Sequence, residues 1–143
     1  MDRKEFLTAL GYSSGALIFA ACLGGCKKED NPSSPPPPSA PVVDFTLDLT
    51  QPANAALNTN GGFIYANGVI VAKTTTGAII AVSQACTHQG TTVQFQAANN
   101  NRFYCPNHGS TFNTTGAVTT GPATGALKQY AVTITGNSVR VNG

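Results

Sequence analysis

Two histidines and two cysteines hold the metal-binding potential of this chain beyond residue 26. They fall as Cys86-Thr87-His88, an interval of sixteen residues, then Cys105-Pro106-Asn107-His108. The pattern uses both histidines and leaves over only Cys22 and Cys26 near the start of the chain. Thiolates and imidazoles together select zinc or iron–sulfur centres rather than hard cations. Three readings of the set compete. A structural zinc site could take two cysteines and two histidines, but a first pair mixed as Cys-x-His is atypical of zinc fingers. A disulfide between Cys86 and Cys105 would suit an oxidising compartment, yet it leaves both histidines and the glycines beside them without a role. The third reading, an iron–sulfur centre with mixed ligation, uses all four.

The flanking residues favour that third reading. Replacing two of four cysteines by histidines on a [2Fe–2S] cluster defines the Rieske type of centre. Cys86-Thr87-His88-Gln89-Gly90 and Cys105-Pro106-Asn107-His108-Gly109-Ser110-Thr111-Phe112 resemble the two cluster-binding boxes of the Rieske iron–sulfur protein family. The resemblance covers residues 42–143 and implies one [2Fe–2S] cluster. It implies that Cys86 and Cys105 hold the inner iron and that His88 and His108 hold the outer iron as neutral imidazoles. Such centres work at roughly −150 to +300 mV, above the roughly −400 mV of all-cysteine plant-type ferredoxins.

Around the ligands, the resemblance assigns supporting roles. Ser110 matches a serine that donates its hydroxyl to a cluster sulfide in high-potential family members. Phe112 stands where those members carry a tyrosine, so one donor is missing. Thr91 and Asn107 stand where they carry two further cysteines, whose disulfide this chain cannot make. Gly90 and Gly109 suit close backbone approach or simple turns, since glycine takes either sign of φ. Pro122, in Gly121-Pro122-Ala123, resembles the proline loop that covers the cluster's other side.

Composition excludes most other chemistry. From residue 51 to residue 143 there is no Asp or Glu, so no carboxylate base, nucleophile or two-histidine-one-carboxylate iron site can be built there. No third histidine is available for a serine triad. Lys73, Arg102, Lys128 and Arg140 face Asp44 and Asp48 across residues 41–143, a balance far from a nucleic-acid-binding stripe. The domain is therefore expected to carry an electron and to have no catalytic site of its own. The resemblance implies a redox protein as partner, either a quinol-oxidising cytochrome complex or an exported oxidase that this chain would serve as its small electron-transfer subunit. A ferredoxin of an aromatic-ring dioxygenase is the further alternative, and a zinc- or disulfide-stapled binding module the last.

The start of the chain is an address. Arg3 and Lys4 precede a weakly apolar stretch from Leu7 to Leu23, which closes on Leu23-Gly24-Gly25-Cys26. This resembles the lipobox of bacterial lipoproteins, with residues 1–25 removed as a signal peptide and Cys26 carrying the lipid. Asp2-Arg3-Lys4-Glu5-Phe6-Leu7 resembles a twin-arginine export signal with lysine in the second arginine's place, and the general secretory route stays open. The same apolar stretch is at the short end for a helix spanning roughly 30 Å of hydrocarbon, which is the competing reading. Residues 26–41 then form a Pro/Ser-rich linker, dominated by Pro35-Pro36-Pro37-Pro38. Proline at this density favours an extended spacer of about 3.1 Å per residue, reaching roughly 45 Å. The protein is expected in the bacterial cell envelope, anchored by lipid and facing away from the cytoplasm.

Beyond residue 41 the pattern is that of an all-β domain. Val43, Phe45, Leu47 and Leu49 alternate with polar or exposed positions, as in a half-buried strand. Further β-rich runs cover residues 62–66, 69–74, 78–83, 91–95, 102–104, 127–135 and 138–142, separated by turn signals of which Asn67-Gly68 is the strongest. No stretch shows a helical period with caps. The expected fold is an antiparallel β sandwich or barrel base with a small cluster-binding subdomain, and the two boxes fall in its loops.

Overall fold

The computed structural model describes residues 42–143; the signal, Cys26 and the linker lie outside the described residues. Ten strands and one short helix follow in order: β1 (Asp44–Asp48), a 3-10 helix (Pro52–Asn58), β2 (Phe63–Ala66), β3 (Val69–Lys73), β4 (Ile79–Ser83), β5 (Gln94–Gln96), β6 (Arg102–Tyr104), β7 (Thr111–Phe112), β8 (Val118–Thr120), β9 (Gln129–Thr135) and β10 (Ser138–Asn142). The strands form a six-stranded sheet ordered β1-β10-β9-β4-β3-β2 and a four-stranded sheet ordered β5-β6-β7-β8. All pairings are antiparallel. Among the described residues no helix is long and apolar enough to cross a membrane.

Local chemistry explains the hairpins. Asn67 and Gly68 both take positive φ, +49° and +79°, and turn β2 into β3 with Ala66 opposite Val69, the conformation a two-residue hairpin loop needs. Gly136, at φ +58°, opens the turn between β9 and β10. Between them, β3 is the wall on which both cores rest. Its run Val69-Ile70-Val71-Ala72 is buried throughout, because successive side chains point to opposite faces and both faces are covered. Val69 and Val71 join Leu47, Leu57, Ala81, Val139 and Val141 in one core. Ile70 and Ala72 join Phe95, Phe103, Phe112, Cys86 and Cys105 in the other. The second core is the floor on which the two boxes stand.

Three expectations need correction. The 3-10 helix lies where no helical period was read; Pro52 sits at its first turn and Leu57 is its one buried residue, so a single apolar plug replaces the repeating stripe that periodicity would detect. The strands β7 and β8 carry no signal in the sequence, being only two and three residues long. The run 91–95 is a strand only from Gln94, preceded by a single bridge between Ala85 and Thr92; the backbone before it serves the first box instead.

Candidate metal centre

The two boxes are built alike. The first follows β4, the second follows β6. In the first, the Cys86 N–H donates to the Thr91 carbonyl (2.8 Å) and the Gly90 N–H donates back to the Cys86 carbonyl (2.7 Å). In the second, the Cys105 N–H donates to the Ser110 carbonyl (2.8 Å) and the Gly109 N–H to the Cys105 carbonyl (3.0 Å). Gly90 and Gly109 close these loops at φ +75° and +79°. A Cβ at either position meets no protein atom within 4 Å; the backbone conformation, rather than crowding by protein, is what calls for glycine there.

Each loop turns its cysteine inward and its histidine outward. Cys86 and Cys105 are free thiols, each 2% exposed, and they lie in the same core cluster. Burial pushes the Cys86 thiol above its ordinary pKa and the neighbouring Cys105 thiol adds to this, while backbone N–H groups of His88 and Gln89 work in the other direction. Those amides aim positive dipoles at the sulfur, as a thiolate requires. His88 and His108 are exposed, with ring planes at 83° and Nδ1 atoms 3.2 Å apart. Two nitrogens each held at about 2.1 Å by one metal stand close to that spacing.

The donors thus form two pairs, thiol with thiol below and imidazole with imidazole above. Among the described residues no three Cys, His, Asp or Glu side chains converge on one point. A single tetrahedral zinc ion would need such convergence; a binuclear cluster, with cysteines at one end and histidines at the other, needs two pairs. The donor set fits the [2Fe–2S] group.

A third loop, residues 121–126, is tied to both boxes. The Ala123 N–H donates to Ser110 Oγ (3.0 Å), and Thr87 Oγ1 donates to the Gly125 carbonyl (2.6 Å). Ser110 is fully buried; its oxygen accepts from Ala123, which leaves its proton to donate elsewhere. Pro122 lies exposed on this loop, after a cis peptide bond, and Ala123 packs into the core beside the two cysteines. Phe112 is buried in the same core, opposite Phe103 in the β6–β7 pairing. The sequence reading missed Thr87 as a tie, because its partner lies 38 residues away. It also missed the amide pair that spans the boxes, Asn107 Nδ2 donating to Gln89 Oε1 at 3.3 Å. That pair links the two boxes directly.

This architecture defines a class, and comparison with known proteins agrees. The family model for the Rieske [2Fe-2S] domain matches residues 48–131, and the chain belongs to that family. It binds a [2Fe–2S] cluster. Among curated relatives, the cytochrome b6-f complex iron-sulfur subunit of Chlorobaculum thiosulfatiphilum is 41% identical over 66 residues, 46% of this chain and 36% of that one. The chain therefore spans about a third of that relative's length. Among solved structures, the plasma membrane Rieske protein PetC3 of the cyanobacterium Synechocystis PCC 6803 aligns with a TM-score of 0.53 and 36% identity, over 62% of this chain and 93% of that one. The ferredoxin of carbazole 1,9a-dioxygenase from Nocardioides aromaticivorans IC177 aligns with a TM-score of 0.50 and 25% identity, over 58% and 86%.

Proposed function

We propose that this protein is a one-electron carrier held at the outer side of a bacterial membrane, working as a subunit or partner of a quinol-oxidising cytochrome complex. The observation that carries the reading is the paired donor set: buried thiols of Cys86 and Cys105 in one core cluster, and the Nδ1 atoms of His88 and His108 3.2 Å apart at the surface. In this reading Cys86 and Cys105 hold one iron and His88 and His108 the other. The bound group supplies a site that takes up and releases one electron, at a potential raised by having two neutral ligands in place of thiolates.

The residues of the chain do the rest. The amides of His88 and Gln89 favour the anionic form of Cys86. Ser110 is assigned the donation of its hydroxyl proton into the site, with Ala123 fixing its oxygen. Gly90 and Gly109 shape the loops, Phe112 fills the floor, and the loop bearing Pro122 is assigned the covering of the remaining side. Cys26 is assigned the lipid anchor and residues 26–41 the leash. The similarity to a cytochrome b6-f subunit supports this partner class. The likeness to a dioxygenase ferredoxin and the absence of a second cysteine pair among the described residues favour a second reading, delivery of the electron to an oxygenase or exported oxidase.

Iron and sulfide analysis together with visible absorption of the purified chain tests the site. The expected result is two irons per chain, with the visible absorption lost in Cys86→Ser, Cys105→Ser, His88→Ala and His108→Ala. Zinc in place of iron, or a cluster that survives His108→Ala, would overturn the assignment.

A further inference from the structure

The six-stranded sheet is not paired evenly. β4 pairs with β9 only through Ala81 opposite Tyr130 and Val82 opposite Gln129, although β9 runs on to Thr135. Where the two strands part, a cleft of about 550 Å³ opens between Ile79 and Ile80 on one side and Tyr130, Ala131 and Val132 on the other. The neighbouring strands fix which backbone groups face it. Val43 and Gly143 exchange N–H···O bonds of 3.0 and 2.9 Å, and bonding alternates along an antiparallel strand. Asn142, Arg140 and Ser138 of β10 therefore bond to Ala131, Thr133 and Thr135 of β9. Val132 and Ile134 aim their N–H and C=O groups the other way, and among the described residues no strand meets them there. The Ile134 residue is itself 52% exposed. Charges, prolines, bulges, short strands or a covering element normally blunt such an edge. β1 carries Asp44 and Asp48, the 3-10 helix packs against β2, and β5 and β8 are three residues each. From Gln129 to Val139 there is neither a charged residue nor a proline.

We infer that this edge is a docking surface for a second copy of the same chain, joined β9 to β9 about a two-fold axis at Thr133. Antiparallel pairing centred there sets Val132 opposite the copy's Ile134, and Ile134 opposite the copy's Val132. Both residues present an outward N–H and C=O, so this register closes hydrogen bonds in both directions. A slip of one residue would set them against Ala131 and Thr133, whose bonds already go to β10. The side chains agree with the register. Val132 and Ile134 lie opposite the buried Val141 and Val139 of β10, so apolar cross-strand pairs form on that face. Ala131, Thr133 and Thr135 line the exposed face. The uncharged strand meets itself without like-charge repulsion, and Arg140 beside it is paired with Asp44. The hairpin tip Gly136-Asn137 of each copy then faces the other's cleft. A two-fold contact uses up both edges, so assembly stops at the dimer. Five residues make a short seam of about 17 Å, which forms at high local concentration, the condition that chains confined to one membrane would meet. The inference concerns the base of the domain and goes beyond the proposed electron transfer.

The test uses the full chain, cluster-loaded, in detergent, at about 10 μM and about 1 mM, because dimer content rises with concentration. Amide exchange at Val132 and Ile134 should slow at least about tenfold at the higher concentration, with Asn67 and Gly68 unchanged. Thr133→Cys supplies an independent reading. Residues opposite one another in a non-hydrogen-bonded pair have Cα atoms about 4.5 Å apart, inside the disulfide range of about 4.4–6.8 Å. Mild oxidation should therefore link two chains at position 133, located by mass spectrometry of the joined peptides. Thr135 is also exposed, but its two copies would stand about 14 Å apart, so Thr135→Cys should link at least about tenfold less. Ile134→Lys gives the edge a protecting charge; it should abolish the concentration dependence and the cross-link and leave the cluster's absorption unchanged. Exchange rates independent of concentration, or equal cross-linking at 133 and 135, would overturn the inference. So would a dimer that survives Ile134→Lys, because the copies would then meet at another face.

Discussion

At the scale of the residue, Ser110 concentrates the second layer of the site. Its oxygen is fully buried and accepts the Ala123 N–H at 3.0 Å, so the hydroxyl is oriented and the cover loop is fixed in one stroke. Two measurable consequences follow from removing it. Ser110→Ala leaves the Ala123 N–H without an acceptor in a buried place, which costs about 1–3 kcal/mol and should appear as a lower melting temperature even in metal-free protein. In loaded protein the midpoint potential should also fall. Hydrogen bonds to charged groups are worth about 1.5–3 kcal/mol, and a one-electron couple moves about 59 mV per factor of ten. A donor that favours the reduced state therefore accounts for up to roughly 130 mV. Voltammetry on the variant checks this, and an unchanged potential would mean that the hydroxyl points away from the cluster. Sequence singles out Ser110 and the four proposed ligands because short boxes keep residue type and spacing together. Thr87 and the Gln89–Asn107 pair also sit in those boxes, but their roles depend on loops brought together from distant positions, which no local pattern encodes.

At the scale of the element, the parts legible in sequence were those with a local cause. Asn67-Gly68 marks a hairpin because both residues tolerate positive φ, and the β-rich run at 69–74 marks the strand that became β3. The 3-10 helix, β7 and β8 have no such signature: their side chains are held by neighbours rather than by a period of their own. The glycines separate local from distant causes in a way that can be measured. Gly68 takes φ +79° with open space beside it, so Gly68→Ala should cost only the left-handed backbone penalty of about 1–2 kcal/mol. The cluster's absorption should be untouched, because that hairpin lies on the base. Gly116 takes φ +85°, and a Cβ there would lie 2.5 Å from the Leu127 carbonyl oxygen, the residue whose N–H donates to the Gly116 carbonyl. Gly116→Ala adds overpacking of about 1–3 kcal/mol to the same penalty. It should also displace the end of the loop that Thr87 and Ser110 tie down. Denaturation of both variants, with the rate of cluster loss measured alongside, should show the second effect in Gly116→Ala alone.

At the scale of the whole molecule, charge is sparse and its placement has consequences. Asp44, held by the paired hydrogen bonds of Arg140, titrates below the ordinary carboxylate value, chiefly through that hydrogen bonding. A depressed acid stabilises the fold above its unfolded value near 3.8 and loses that contribution as pH falls through the lower folded value. Arg140→Gln should move the Asp44 titration upward toward the ordinary value, which carboxylate NMR would read directly. Attachment to the membrane belongs to the same scale, and here the proposed anchor decides. One acyl chain gives only marginal membrane binding, whereas two or more make it stable; a lipidated Cys26 with several chains would hold the domain on a leash of roughly 45 Å. The mature protein should therefore begin at Cys26 and carry the mass of its acyl groups. Intact-mass and N-terminal peptide spectrometry of protein extracted from membranes checks this. Residues 1–25 still attached, with no lipid on Cys26, would defeat the anchor and make the apolar stretch from Leu7 to Leu23 a membrane helix. The domain would remain tethered from the same end, through residues 24–41.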